Sequence, residues 1–236
     1  MGAHRPERLR LKGGPTRLSA ALRLPDSELK ARNLQVSLTG GITARVAIRP
    51  VTRHTPGIAV VKLRLPKNTP PGTYEGVVQL NDVEVPVVAN IEARPRLRFV
   101  PGSLIVKAPP GAMVHTEVTV VNGGNVAINI EAKHTFCIFD ESGIDRAFSA
   151  ALTDEKTKGQ ERMELLMDKL ADSHGGFVRL IVDSGTGMLE PNEDCDLHLA
   201  LRFSDKLRPG GIYDGAWVLG GGSYHIRIEV TEKEKS

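Results

Sequence analysis

The chain has 236 residues, 40% hydrophobic and 25% charged, with 31 Lys/Arg, 28 Asp/Glu and a formal net charge of +3. That balance describes a folded protein and excludes a disordered one, and no apolar run reaches the roughly 18 residues of a membrane helix. The small net charge conceals a basic half, 17 Lys/Arg against 7 Asp/Glu over residues 1–100, and an acidic half, 14 against 21 over residues 101–236. Halves of opposite sign point to a partner that reads one end or to head-to-tail self-association.

The opening "MGAHRPERLRLKGG" carries Arg5, Arg8, Arg10 and Lys12 and is expected to be a basic arm, residues 1–15, that orders on a partner. It lacks the apolar stretch of a secretory signal. That predicts a cytoplasmic protein, or a periplasmic or extracellular one whose leader has been removed. Short alternating runs follow: "LQVSL" (34–38), "ITARVAI" (42–48), "IAVVKLRL" (58–65), "YEGVVQL" (74–80) and "VEVPVVANIEA" (83–93). Turn residues separate them, so they read as strands of a β-sandwich over residues 16–94. Pro86 within its run marks an edge strand or a bulge, because proline has no N–H for the ladder.

After the connector "RPRLRFVPGS" (94–103), a second series runs through "LIVKA", "HTEVTVV", "VAINIEA" and "TFCIF", and resumes with "FVRLIV", "DLHLALRF", "IYDGAWVL" and "YHIRIEV". A second sandwich is therefore expected over residues 95–231, with a frayed tail at 232–236. Between its two series, "DEKTKGQERMELLMDKLADSHGG" (154–176) sets Met163, Leu166, Met167 and Leu170 at helical spacing and ends in Gly-Gly. It predicts an amphipathic helix of about three turns, a helical insertion around residues 153–175.

One phrase is written twice. "LRLPKNTPPGTYEGVVQL" (63–80) lies against "LRFSDKLRPGGIYDGAWVL" (201–219), matching Pro71-Gly72 with Pro209-Gly210, Tyr74 with Tyr213 and Gly76 with Gly215. Upstream, "VSLTGGITARVAI" (36–48) resembles "VTVVNGGNVAINI" (118–130). A tyrosine just inside a strand after a Pro-Gly turn can fold its ring over the sandwich end and return its hydroxyl to the backbone. Gly two residues later leaves room for the ring or for a bulge.

The Pro-Gly-x-Tyr-x-Gly pattern, after a Leu-Arg-Leu strand and before a Val-rich one, resembles bacterial immunoglobulin-like modules. The resemblance covers most of residues 30–93 and the framework of 97–230. It implies tandem sandwiches of envelope or secreted proteins, non-enzymatic, with binding by loops, edges or insertions, and it carries no catalytic residue.

Chemistry-bearing residues are few. "LIVDSGTG" (180–187) resembles the active-site loop of aspartic proteases, where Asp183 would need a twin carboxylate supplied by a dimer. "EPNEDCD" (190–196) gathers Glu190, Asn192, Glu193, Asp194 and Asp196 but lacks the spacing and glycine of a calcium loop. Zinc held by Cys137, Cys195, His134 and His198 would have to be assembled by folding. A Cys137–Cys195 bridge is open, since spacing does not give the Cα separation. "LGGGSY" (219–224) lies between strands and reads as a hairpin loop rather than a phosphate cradle. Within the basic half, Arg45, Arg49 and Arg53 lie along or just after one strand, with Tyr74 and Phe99 its only aromatics. That argues for anion attraction without base stacking and against specific nucleic-acid binding.

These features predict an all-β protein of two tandem immunoglobulin-like sandwiches, a structural or protein-binding subunit of a larger assembly without cofactor or metal. The expected contact residues are Arg5, Arg8, Arg10, Lys12, Arg45, Arg49, Arg53, Met163, Leu166 and Met167. Two other readings use the same residues differently. One is a pilus-type periplasmic assembly chaperone that lends a strand to subunits, and the other is a dimeric aspartic-protease-like hydrolase acting through Asp183.

Overall fold

Alternating side chains make strands because successive residues face opposite sides of a pleated sheet. The computed structural model describes residues 8–23, 32–50, 58–80, 83–154, 156 and 158–232. The chain divides into two compact units, Met1–Pro95 with Gly123–Ala127, and Arg96–Asn122 with Ile128–Ser236.

The first unit holds β1 (Leu9–Gly13), β2 (Leu18–Arg23), β3 (Arg32–Leu38), β4 (Ile42–Pro50), β5 (Ile58–Arg64), β6 (Gly72–Leu80) and β7 (Val83–Ile91). They close into a barrel in the order β1-β2-β5-β4-β3-β6-β7. This is the pairing order of an immunoglobulin sandwich, whose two sheets are here joined through β3 and β4. The joint corrects the expectation of two separate sheets. A tight Thr39-Gly40-Gly41 turn keeps β3 and β4 paired from Leu38↔Ile42 to Arg32↔Ile48, so the sheets run into one another. Closure gives every described strand of this unit a neighbour on both sides over at least part of its length, which shortens the edge open to a partner strand.

The expected basic arm needs a second correction. Leu9 and Leu11 are buried while Arg10 and Lys12 face outward, so Leu9–Gly13 is an amphipathic strand. It runs parallel to β7 from Leu9↔Val87 to Gly13↔Ile91. Among the described residues, Pro86 lies where β7 has only β6 beside it, which accommodates its missing N–H. The Gly123–Ala127 segment belongs to this unit through Asn125. Its buried amide donates to the Thr69 and Glu92 carbonyls, and its Oδ1 accepts the Arg94 N–H at 2.7 Å.

The second unit holds β8 (Leu97–Val100), β9 (Ser103–Ala108), β10 (Met113–Asn122), β11 (Ile128–Ile130), β12 (Lys133–Asp140), α1 (Gly143–Thr153), α2 (Gln160–Asp172), β13 (His174–Ser184), β14 (Gly187–Leu189), β15 (Asp194–Arg202), β16 (Ile212–Leu219) and β17 (Gly222–Val230). Eight strands form one sheet in the order β8-β10-β15-β13-β12-β16-β17-β9, and β11 pairs with β14. The order repeats that of the first unit, with the first strand divided into β8 and β9. Trp217 and Tyr224 are fully buried at its centre against Phe99, with ring centroids 5.6 and 4.6 Å apart. Two helices replace the single one expected, and both lie in the chain between β12 and β13, where the first unit has its three-residue turn.

The equivalence sorts the repeated phrases. "LRLPKNTPPGTYEGVVQL" runs from β5 into β6 and "LRFSDKLRPGGIYDGAWVL" from β15 into β16, which occupy matching places. The upstream match fails: "VSLTGGITARVAI" is the β3–β4 hairpin, whereas "VTVVNGGNVAINI" runs from β10 into β11. Shared turn chemistry alone made them look alike.

Both tyrosines act as corners. Tyr74 donates its hydroxyl hydrogen to the Pro70 carbonyl at 3.1 Å, and the Tyr213 hydroxyl oxygen accepts the Arg208 N–H at 3.2 Å. The paired glycines serve the neighbouring strand rather than the ring. Gly76 stands opposite Leu38 and Gly215 opposite Ile138. A Cβ on Gly215 would lie 2.6 Å from Ile138 Cγ2 and 2.9 Å from the Cys137 carbonyl, and one on Gly76 would overlap the Ser37 carbonyl. Gly76→Ala and Gly215→Ala are each expected to cost about 1–3 kcal/mol by overpacking, seen as a lowered Tm in thermal unfolding. An unchanged Tm in both would refute this account of the repeat.

Candidate protein-docking surface

The helices put apolar side chains where water is. On α1, Gly143, Ala147 and Ala151 recur every four residues and are buried, so a stripe of small residues lets the helix pack closely. A Cβ on Gly143 would overlap the Ser173 side chain at the end of α2. Beside that stripe, Ile144, Phe148 and Leu152 have the same spacing but are 60%, 47% and 68% exposed. On α2, Met163 and Met167 are 58% and 60% exposed, while Leu165, Leu166 and Leu170 are half-buried. Where the helices leave the sheet, exposed Phe139 and Phe177 flank His174, with centroids 5.2 and 5.6 Å from its ring.

A buried carboxylate ties this hairpin to the sheet. Asp140, at the end of β12, has a side chain only 4% exposed. Its Oδ2 accepts from Arg146 of α1 at 2.5 Å and from Arg208 of the β15–β16 loop at 3.2 Å, and its Oδ1 accepts from the Ser142 N–H and hydroxyl, both at 3.0 Å. Burial pushes its pKa up, but the hydrogen bonds from Arg146 and Ser142 and the Arg146 charge outweigh that and hold it below the ordinary 3.8. A cavity of about 590 Å³ opens beside the network, with Arg146, Lys169, Lys206 and Arg208 among its lining residues. Two guanidinium groups on one carboxylate do not suit a metal ion, and the described residues contain no group of three His, Cys, Asp or Glu side chains able to hold one.

The expected contact residues do not form one site. Arg5 and Arg53 lie outside the described residues. Arg8 pairs with Glu75, Arg10 is exposed on β1, and Lys12 approaches Glu92 at 3.7 Å. Arg45 and Arg49 are exposed on β4. Met163 and Met167 do reach the surface, but Leu166 is half-buried. Sequence reading missed Ile144, Phe148 and Leu152, although "GIDRAFSAALT" carries two four-residue periods, one small and one large.

The remaining chemistry disperses. Asp183 lies within β13 on a sheet face, half-exposed, 3.5 Å from His115 Nδ1; a protease-like pair would have to be completed by another copy. Cys137 and Cys195 are both free thiols, and His134 packs on the Trp217 ring at 5.1 Å. Glu193 Oε2 accepts the Glu190 N–H at 3.0 Å, and Asp196 Oδ1 accepts the Thr119 hydroxyl at 2.7 Å. Among the described residues no helix is long and apolar enough to cross a membrane.

No family model matches the chain, and no curated protein matches its sequence. Among solved structures it is similar to a protein of unknown function from Porphyromonas gingivalis W83, at 12% identity over 95% of this chain and 98% of that one, with a TM-score of 0.27. It is also similar to the I67–I69 I-band fragment of titin, at 11% identity over 96% of this chain and 63% of that one, with a TM-score of 0.35. A third likeness is to the Yersinia pseudotuberculosis adhesin InvE, at 11% identity over 95% of this chain and 57% of that one, with a TM-score of 0.26. The chain thus spans less than two thirds of the titin fragment and of the adhesin. With TM-scores this low, the immunoglobulin-like character of each unit rests on its strand order.

The Asp140 network sets a pH dependence. A carboxylate whose pKa is depressed by folding contributes stability that is complete above its unfolded value and lost as pH falls through the folded one. Stability should therefore fall below about pH 4. Asp140→Asn should cost about 2 kcal/mol at neutral pH and flatten that acid limb in pH-dependent denaturant unfolding. An unaltered acid limb in the variant would remove Asp140 from the explanation.

Proposed function

We propose that this chain is a non-enzymatic structural or protein-binding subunit of a larger assembly, built from two immunoglobulin-like sandwiches of which the second carries a helical insertion. The insertion is the docking element. What supports this reading is five large apolar side chains exposed on two consecutive helices, Ile144, Phe148 and Leu152 on α1, which Asp140 holds through Arg146, and Met163 and Met167 on α2. Exposed apolar residues grouped this way mark interaction surfaces rather than ordinary solvated faces, and methionines adapt to varied partner shapes.

The charges around the stripe describe the partner. Asp145, Glu161, Glu164 and Asp168 are exposed on the same helices. Of the three cations on these helices, Arg146 is committed to Asp140, Arg162 donates to the Asp154 carbonyl at 3.1 Å, and Lys169 lies in the last turn of α2. An apolar stripe with acidic flanks fits a protein segment that is amphipathic and basic, laid along the hairpin as a helix in a groove.

The test is titration of the purified chain with a synthetic basic amphipathic helical peptide, followed by fluorescence anisotropy. Saturable binding is expected, weakened at least about tenfold, or 1.4 kcal/mol, by Phe148→Ala and by the double variant Met163→Ala/Met167→Ala. Both substitutions remove exposed side chains, so Tm should be nearly unchanged. Equal binding by all three proteins, or none by any, would sink the proposal.

A further inference from the structure

The outward face of β4 and β5 carries charge of one sign. Residues 29–74 contain eight Lys/Arg and no Asp or Glu, and the strand register gathers four of those cations together. Arg45 stands directly opposite Arg64. Lys62 stands opposite Ala47, midway along β4 between Arg45 and Arg49. All four side chains are exposed, and among the described residues none of them makes an ion pair. Facing like charges across a ladder are destabilising, so this face gains from an anionic surface laid on it. The outward neighbours are Asn33 and Gln35 of β3, Thr43 and Ala47 of β4, Ser19 and Ala21 of β2, and Val60 of β5. None is aromatic, so the face has nothing on which a base could stack.

A surface of the opposite sign is present on the acidic half of the same chain. Asp194 and Asp196 face outward at the start of β15, with Glu117 outward on β10 beside them. Glu190 and Glu193 are exposed in the turn that leads into β15. Arg98 of β8, opposite Val121, is the cation of that row, and His198 lies 3.8 Å from Glu117. Like the cationic face, it lies on the outward side of a sheet, and its charge survives these neighbours.

We propose that the Arg45–Arg49–Lys62–Arg64 face of one copy docks on the Glu117–Asp194–Asp196 face of a second, head to tail. The inference rests on the reading of the chain as an assembly subunit but uses no residue of the helical hairpin. Because the two faces differ, each pair of copies leaves one cationic and one acidic face unused. Such a heterologous contact propagates into open chains or closes into rings. It is also electrostatic and exposed, so it weakens as salt shortens the Debye length from about 30 Å at 0.01 M to about 8 Å at 0.15 M.

Sedimentation equilibrium over a concentration series tests it. In about 0.01 M salt the average mass of the full chain should rise with concentration, and in 0.5 M salt it should return to that of one chain. Arg45→Glu/Arg64→Glu should be monomeric at low salt, and so should Asp194→Lys/Asp196→Lys. An equimolar mixture of the two should associate again as a pair, since one variant keeps its acidic face intact and the other its cationic face. Phe148→Ala should self-associate like the parent, so failure of the hairpin reading and failure of this one show up separately. Circular dichroism melts of the charge variants check that they fold. A chain that stays monomeric at low salt, self-association indifferent to these substitutions, or a salt effect that does not vary with concentration would each overturn the proposal. Retention of the monomer on heparin that is lost in Arg45→Glu/Arg64→Glu, without self-association, would overturn it in favour of an external polyanion.

Discussion

The second unit depends on one steric constraint, the absence of a side chain at Gly215. There the backbone of β12 crosses so closely that a Cβ would meet both Ile138 and the Cys137 carbonyl. The contact fixes Ile138 opposite Gly215, and the ladder then places Asp140 opposite Tyr213. Tyr213 holds the Arg208 N–H, and Arg208 reaches back to Asp140. A backbone approach set by a missing methyl group thereby decides where a buried carboxylate sits, and that carboxylate receives the first turn of α1 through Arg146. Gly76 sets the same register against Leu38 in the first unit, where a short turn follows instead of two helices.

The two units show how one strand order supports different surfaces. In the first, closure leaves little open edge among the described residues, and the outward side chains of β4 and β5 are the prominent feature. In the second, the inserted hairpin adds helix surface that the sheet does not cover. Small residues at Gly143, Ala147 and Ala151 allow α1 to lie close, and their spacing brings Ile144, Phe148 and Leu152 round to solvent as a second stripe. A helix with two adjacent stripes satisfies only one of them within its own unit. The carboxylates beside the uncovered stripe and the guanidinium groups on β4 and β5 give the surfaces opposite electrostatic character, so each suits a different occupant.

Much of this was legible in the residues, and the failures have identifiable causes. Most of the β-strands followed from alternation, because a strand with one face on a core must bury every second residue; β1, β2, β14 and β8, which lies in the stretch read as a connector, did not. Met163 and Met167 followed from helical spacing. α1 was missed because its buried stripe is made of glycine and alanine, which carry little hydrophobic signal although they pack well. The basic arm was misread because four charges outweighed Leu9 and Leu11 in the same run, while burial is decided by the side each residue faces. The Gly-Gly match at 40–41 and 123–124 misled because glycine turns look alike whichever strands they connect.

Most of the strands, the two tyrosine corners, and the separation of basic from acidic halves were set by the sequence alone. Each of these is local, set by alternation, by turn chemistry or by simple charge count. Only the tertiary structure decided that the first unit closes into a barrel, and that Asp140 joins Arg146 to Arg208. It alone set Arg45 against Arg64, and left one stripe of α1 uncovered while burying its neighbour. Those outcomes depend on register between strands distant in the chain, and register is fixed by which backbones can approach one another, a property that no short run of residues contains.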